Sequence, residues 1–375
     1  MNPTTTESGM QFPVPVPHLA HGAAFTPGAG PQAPAGTVHN LSSNESAVGA
    51  APSVRQLLRE QAGLQHLYPE PDGDSLVRAL AARHGLDPRG IVTGPGSESL
   101  INWIVQGWAD RGDEVLYSAH GFQAYRIRAT TCGARPVAAP ETALRTDVDQ
   151  LLAAVTPRTR ILFLSNPNNP TGTWLPRAEL LRLREGLRPD VLLVLDEAYV
   201  EYVEAPGFVS GLDLVRDDTP NVAVLRTFSK FYGLAGLRVG WACVPTAMTG
   251  PLALLRGPFA VTRPGLAAAV AALADEGHQA LALAHNRRWR PWLQDAVRAL
   301  GYETTDSIGN FVLLRVPGGA AAARALHAAL ARRGFITRLA DQNGLPDWIR
   351  VTVGLQPAME GFVAALRAET GPGPR

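Results

Sequence analysis

The chain is poor in cysteine, in net charge and in long apolar runs, and each scarcity removes a class of function. Its two cysteines, Cys132 and Cys243, sit in apolar surroundings and form no CxxC pair. A disulfide framework and a zinc site are therefore not expected, and no metal is; buried free thiols in a cytoplasmic protein are. Basic residues number 34 against 33 acidic ones, a net charge of +1, which offers no field for nucleic acid or an anionic membrane. Any anion must be gripped locally. No apolar run is long enough to span a bilayer, and there is no internal repeat. Residues 1–38, rich in Pro, Gly and Ala, lack both a basic start and a continuous apolar stretch, so an irregular arm is expected there, not a signal peptide.

What is present is 375 residues at 46% hydrophobic and 18% charged, enough for one large domain and a smaller one. Short β-branched runs alternate with longer amphipathic helical patterns, the signature of a mainly parallel sheet covered by helices in an α/β fold. The pattern predicts seven strands, near residues 90–93, 114–117, 136–139, 160–165, 191–195, 222–226 and 240–244. From about residue 245 the texture changes to an Ala/Leu-rich helical region over 265–300, a strand at 310–315, a helix, and a last strand at 348–353. The expected organisation is an N-terminal arm (1–45), a large domain (46–245) and a smaller α+β domain (246–375).

Four motifs carry chemistry. Thr227-Phe228-Ser229-Lys230 follows an apolar strand and precedes Gly233, Gly236 and Arg238. A desolvated lysine can act as an amine nucleophile or base, and short hydroxyls with a fixed guanidinium suit a tethered phosphate. Taken alone, the run also reads as a lysine closing a surface loop. Val191 to Leu195 is followed by Asp196-Glu197-Ala198-Tyr199, which puts a carboxylate at a strand's carboxyl end, where open α/β sheets place ligands. Such a carboxylate can hold a pyridine nitrogen protonated. Strand-Asp-Glu also occurs in nucleotidases, but the chain has no GxxxxGK[ST] loop to go with that reading. Asn166-Pro167-Asn168-Asn169-Pro170-Thr171-Gly172 ends another strand in a non-helical turn that can aim Asn169 at a ring hydroxyl. Finally, Thr93-Gly94-Pro95-Gly96-Ser97-Glu98-Ser99 opens a helix; its small residues let backbone N–H groups approach a phosphate, although a plain Ser97 cap explains it equally well.

With Leu41-Ser42-Ser43-Asn44-Glu45, Tyr68-Pro69-Glu70-Pro71-Asp72-Gly73 and Ile349-Arg350-Val351-Thr352-Val353-Gly354, these motifs resemble the fold-type I pyridoxal-phosphate (PLP) enzymes. The likeness is to the class I/II aminotransferases, nearest the histidinol-phosphate aminotransferase branch, from about Asn40 to the end. It implies PLP as cofactor, held by Lys230 as a Schiff base, with Lys230 also shuttling the substrate proton. It implies Asp196 at the pyridine nitrogen, Asn169 and Tyr199 at the phenolic oxygen, and Phe122 on the ring face. Ser97, the Glu98 N–H, Ser229 and Arg238 would hold the phosphate, with Thr227 also cofactor-binding through its hydroxyl. Tyr68 matches a tyrosine reaching the neighbouring subunit's phosphate, which implies a homodimer with shared sites.

On the substrate side the resemblance implies Arg350 for the carboxylate, Arg338 for a substrate phosphate, Asn44 nearby, and Phe25 from the arm, where the family commonly has a tyrosine. Asn44-Glu45-Ser46-Ala47 and residues 257–262 also depart from the family pattern. These differences touch the substrate side. The leading expectation is ping-pong amino transfer between glutamate/2-oxoglutarate and a second amine, with histidinol phosphate (imidazole acetol phosphate) the first candidate. A decarboxylase or specialised biosynthetic enzyme resembling the threonine-phosphate decarboxylases is the alternative on the same fold. A PLP-binding regulator is the remote one, since the arm cannot supply a helix-turn-helix domain.

Overall fold

The computed structural model describes residues 16–19, 37–216 and 220–370. Seven strands form one sheet: β2 (Ile91–Gly94), β3 (Glu114–Ser118), β4 (Arg135–Ala139), β7 (Thr159–Ser165), β8 (Leu192–Asp196), β9 (Val222–Thr227) and β10 (Gly240–Cys243). They are the seven that the sequence pattern predicts, in the order β2-β10-β9-β8-β7-β3-β4. The pairs from β9 to β4 are parallel, and β10 is antiparallel to both its neighbours. A small hairpin, β5 (Glu141–Thr142) and β6 (Arg145–Thr146), follows β4.

The central strands are apolar through their middles, residues 161–164, 192–195 and 222–225, because both sheet faces are covered. Successive residues go to opposite sides: Leu162, Leu164, Leu193, Leu195, Val222 and Val224 enter one core, while Ile161, Phe163, Leu192, Val194, Ala223 and Leu225 enter the other. The first face is covered by α1 (Pro52–Glu60), α2 (Asp74–His84), α5 (Val148–Ala153), α6 (Arg177–Gly186), α7 (Gly211–Arg216) and α9 (Arg263–Ala274). The second lies under α3 (Ser97–Trp108), α4 (Ala124–Thr131) and α8 (Thr246–Arg256).

A second core is built from α10 (Glu276–Ala299), α11 (Gly319–Arg332), α12 (Gln356–Thr370) and a four-stranded antiparallel sheet. That sheet runs β11 (Glu303–Thr304), β12 (Phe311–Arg315), β15 (Leu345–Thr352), β14 (Arg338–Ala340). The chain enters the fold through β1 (His39–Asn40), paired in parallel with β13 (Phe335–Ile336).

The structure adds detail to the chain's organisation at three points. The helical stretch over 265–300 is two helices, because the Asp275 side chain accepts from His278 N and starts α10 anew. α8 and α9 pack on the large sheet's helices and strands, so the packing changes hands within α10 and not at residue 245. Residues 39–41 are likewise not arm, since Leu41 lies in the small domain's core and bonds Ile336 and Thr352. Of the two thiols, Cys243 is buried and Cys132 only half-buried.

Candidate active site

The carboxyl ends of the parallel strands open into a cavity of about 360 Å³. β8 delivers Asp196 and Tyr199, β9 delivers Thr227, Ser229 and Lys230, and the turn after β7 delivers Asn169. Ser97 and Glu98 at the start of α3, Phe122 before α4, Arg238, and from the small domain side Asn44, Arg338 and Arg350 complete the lining. Segments more than 300 residues apart in the chain thus meet at one point.

Asp196 is buried to 3% exposure, yet only one of its oxygens is used: Oδ2 accepts from the Tyr125 hydroxyl at 2.8 Å, and Oδ1 has no partner among the described residues. Burial pushes its carboxyl up to about 6, against the Tyr125 and Ala198 hydrogen bonds and nearby Lys230, which favour the anion. A buried carboxylate oxygen left free in a cavity fits a ring N–H. Lys230 donates to the Ser43 carbonyl at 2.7 Å. Desolvation, then the Arg350 charge, brings its ammonium down to about 7, so a reactive neutral amine is accessible at neutral pH. Lys230 is also the only lysine in the chain, a signal that the pooled count of basic residues hides.

The phosphate cradle is built mostly of backbone. α3 begins after Gly96, at φ 84°, and no side chain caps it, so its first N–H groups face the cavity side where Ser97 and Glu98 line it. Ser97 is therefore the first helical residue and not the cap. The Glu98 carboxylate turns away to Arg128 at 2.5 Å, consistent with a backbone role. A Cβ on Gly96 would lie 2.5 Å from Arg238 Nη2. Arg238 Nη1 donates to Ser229 Oγ at 3.2 Å, and Thr227 Oγ1 accepts from Ser229 N at 3.1 Å. Thr227 thus braces the loop that presents Ser229.

Arg350 spans the two domains. Its Nη1 donates to Asn169 Oδ1 and its Nη2 to the Ser42 carbonyl, both at 2.5 Å, while Nε is buried with no partner among the described residues. Burial lowers its guanidinium to about 10, so it stays charged. With Asn169 Oδ1 taken, the amide nitrogen is left for a ring oxygen. The Tyr199 hydroxyl accepts from Asn44 Nδ2 at 2.9 Å, and Asn44 is held in turn by Thr352. Arg338 pairs across from Arg350 on adjacent strands.

Tyr68 is not in the cavity; it is 77% exposed and stacks on Phe259 at 4.7 Å. Phe25 lies outside the described residues. Nothing in the sequence signals a role for Tyr125, three residues after Phe122, or for Gln123 in the cavity wall, whose buried Oε1 has no partner among the described residues. Nor does it signal a clasp in which His120 Nδ1 and the Asn343 carbonyl meet at 2.7 Å and Asn343 Nδ2 donates to the Gly121 carbonyl at 2.9 Å.

The model of the family described as "Aminotransferase class I and II" matches residues 37–366. A histidinol-phosphate aminotransferase of Paramagnetospirillum magneticum is 48% identical over 88% of this chain and 91% of its own. One from Rhodospirillum rubrum is 44% identical over 95% and 97%. Among solved structures, histidinol-phosphate aminotransferase from Sinorhizobium meliloti in complex with pyridoxal-5'-phosphate is similar at a TM-score of 0.88 and 30% identity, covering 96% of this chain and 98% of that one. With the free Asp196 oxygen, the single lysine and the uncapped helix start fitting that cofactor, the chain belongs to the class I and II aminotransferase family and is a PLP-dependent aminotransferase of fold type I.

Proposed function

We propose that the protein moves an amino group between histidinol phosphate and 2-oxoglutarate, giving imidazole acetol phosphate and glutamate, in two half-reactions at one site. The observation that carries this reading is the pair Arg338 and Arg350, directly opposite each other on β14 and β15 and both lining the cavity of Lys230. Two guanidiniums beside one amine suit donors that carry a second anion, a phosphate in one substrate and a carboxylate in the other. The names of the relatives at 48% and 44% identity support the same reaction.

PLP, when bound, supplies the carbonyl that receives the amino group and a ring that withdraws electrons. Asp196 holds the ring nitrogen with its free oxygen. Asn169 and Tyr199 steady the ring oxygen, Phe122 covers one face, and Ser97, the Glu98 N–H, Ser229 and Arg238 take the phosphate. Lys230 would hold the cofactor covalently, and its amine, with a proton affinity near neutrality, would serve as the base that moves the substrate-carbon proton. Arg350 binds the carboxylate and Arg338 the substrate phosphate, while Asn44 fixes Tyr199.

The same reading makes the protein a homodimer with shared sites. Tyr68 and Phe259 form an exposed stacked pair, and the neighbouring segments also expose Leu64, Leu67, Leu254 and Leu255, an apolar surface of the kind that partners cover. The cytoplasm, where thiols such as Cys132 and Cys243 stay reduced, is its proposed location. The test is spectral: PLP-loaded protein is mixed separately with glutamate, histidinol phosphate and an aromatic amino acid. Conversion to the pyridoxamine form by glutamate and histidinol phosphate is expected. Conversion by the aromatic amino acid but not by histidinol phosphate would discard the substrate while keeping the reaction.

A further inference from the structure

We propose that Tyr125 is a positioning residue that fixes the Asp196 carboxylate, committing one oxygen so that the other is aimed at the ring nitrogen. The inference rests on the reading of Asp196 as the cofactor's ring-nitrogen partner and adds a residue to it. Tyr125 is fully buried on α4, and its hydroxyl lies 2.8 Å from Asp196 Oδ2. A buried phenol must find some acceptor, so the bond alone shows only that Tyr125 is satisfied. The geometry around it says more.

The Tyr125 ring lies parallel to Phe163 of β7, 4° between planes at 4.6 Å, and takes the Phe122 ring edge-on at 87° and 5.9 Å. Phe163 is rooted in the sheet core and Phe122 lines the cavity. The phenol is therefore wedged between a fixed wall and the residue at the ring face, which holds its oxygen beside Asp196. Asp196 shows the complement: Oδ2 is held and Oδ1 is buried with no partner among the described residues. One side chain thus ties the position of Phe122 to the position of the carboxylate.

The ionisable groups that bear on Asp196 are Tyr125 from α4, Lys230 from the loop after β9, and Glu197 and Tyr199 from its own segment. Of these, the Tyr125 hydroxyl is the largest influence favouring the anion, opposing burial. Removing it should leave a carboxyl that holds its proton to higher pH and rotates more freely. Substrate contacts through Arg338 and Arg350 would be untouched.

Tyr125→Phe keeps the ring and removes only the hydroxyl. In cofactor-free protein, the carboxyl band of Asp196, assigned by its loss in Asp196→Asn, is followed by difference infrared spectroscopy across pH. Its midpoint should move up by about one unit in Tyr125→Phe, equivalent to loss of one hydrogen bond to a charged group. In the loaded enzyme kcat should fall about tenfold or more, with KM for glutamate nearly unchanged. An unmoved midpoint together with unchanged kcat, in a variant whose circular dichroism matches the parent, overturns the proposal. Should Asp196→Asn itself leave kcat and cofactor affinity intact, the reading of Asp196 falls and the role of Tyr125 with it; an effect of Asp196→Asn without one of Tyr125→Phe sinks the Tyr125 role alone.

Discussion

Lys230 shows how much one side chain's surroundings decide. In the folded, cofactor-free protein its ammonium loses its proton near pH 7, against an ordinary value of 10.5. Between those values the unfolded chain binds the extra proton and the folded one does not, so folding stability rises with pH across that window. At and below about pH 7 the penalty of a desolvated cation is fully present. Lys230→Met carries no such penalty. Calorimetry of the two cofactor-free proteins should therefore find Met the more stable, with a gap in Tm largest near pH 7 and closing toward pH 10. A gap that does not vary with pH would mean that Lys230 is not a half-buried amine with a lowered proton affinity. Added PLP should colour the parent yellow through the Lys230 linkage but leave the variant without it, since no second lysine exists to take the cofactor.

At the scale of elements, the strands were legible because apolar runs bounded by turn residues leave few alternatives, and all seven predicted segments pair in one sheet. The site followed from them, since parallel strands end on the same edge. What the sequence hid was side-chain partnership across elements. Nothing in the segment 120–125 says that Tyr125 meets Asp196, because that depends on how α4 lies over β7 and β8. Which sheet α8 and α9 cover is hidden for a similar reason, since only packing shows it. The start of α3 offers a test at this scale. Gly96 and Gly240 both crowd the cradle, but an added Cβ would meet the mobile end of Arg238 in one case and the Ser97 backbone nitrogen, at 2.4 Å, in the other. Gly96→Ala, at a left-handed φ costing about 1–3 kcal/mol, should push Arg238 aside and weaken PLP binding about tenfold or more. Gly240→Ala cannot be relieved by a side chain, so it should lower Tm and cofactor affinity together. Thermal melts and PLP titrations of the pair separate the two effects; equal losses of stability would count against this account of the cradle.

At the scale of the whole molecule, the proposed shared-site dimer makes a demand that a self-sufficient chain does not. Tyr68 lies outside its own chain's cavity and stands in solvent beside Phe259, so it serves a cofactor only if a second copy brings one to it. Lys230→Ala and Tyr68→Phe each damage one half of a composite site. When the two inactive or weakened proteins are unfolded together, refolded and assayed at limiting PLP, half of the dimers should be mixed. In each mixed dimer one site has both defects, and the other joins an intact Lys230 to an intact Tyr68 from the neighbour. Activity should then rise to about a quarter of the parent's, as random pairing of two subunit types in a two-fold dimer requires. Were Tyr68 to act within its own chain, every site in the mixture would lack either the lysine or the tyrosine hydroxyl. No gain over the sum of the separate variants would then appear, and the shared site would have to be abandoned even if the protein ran as a dimer in solution.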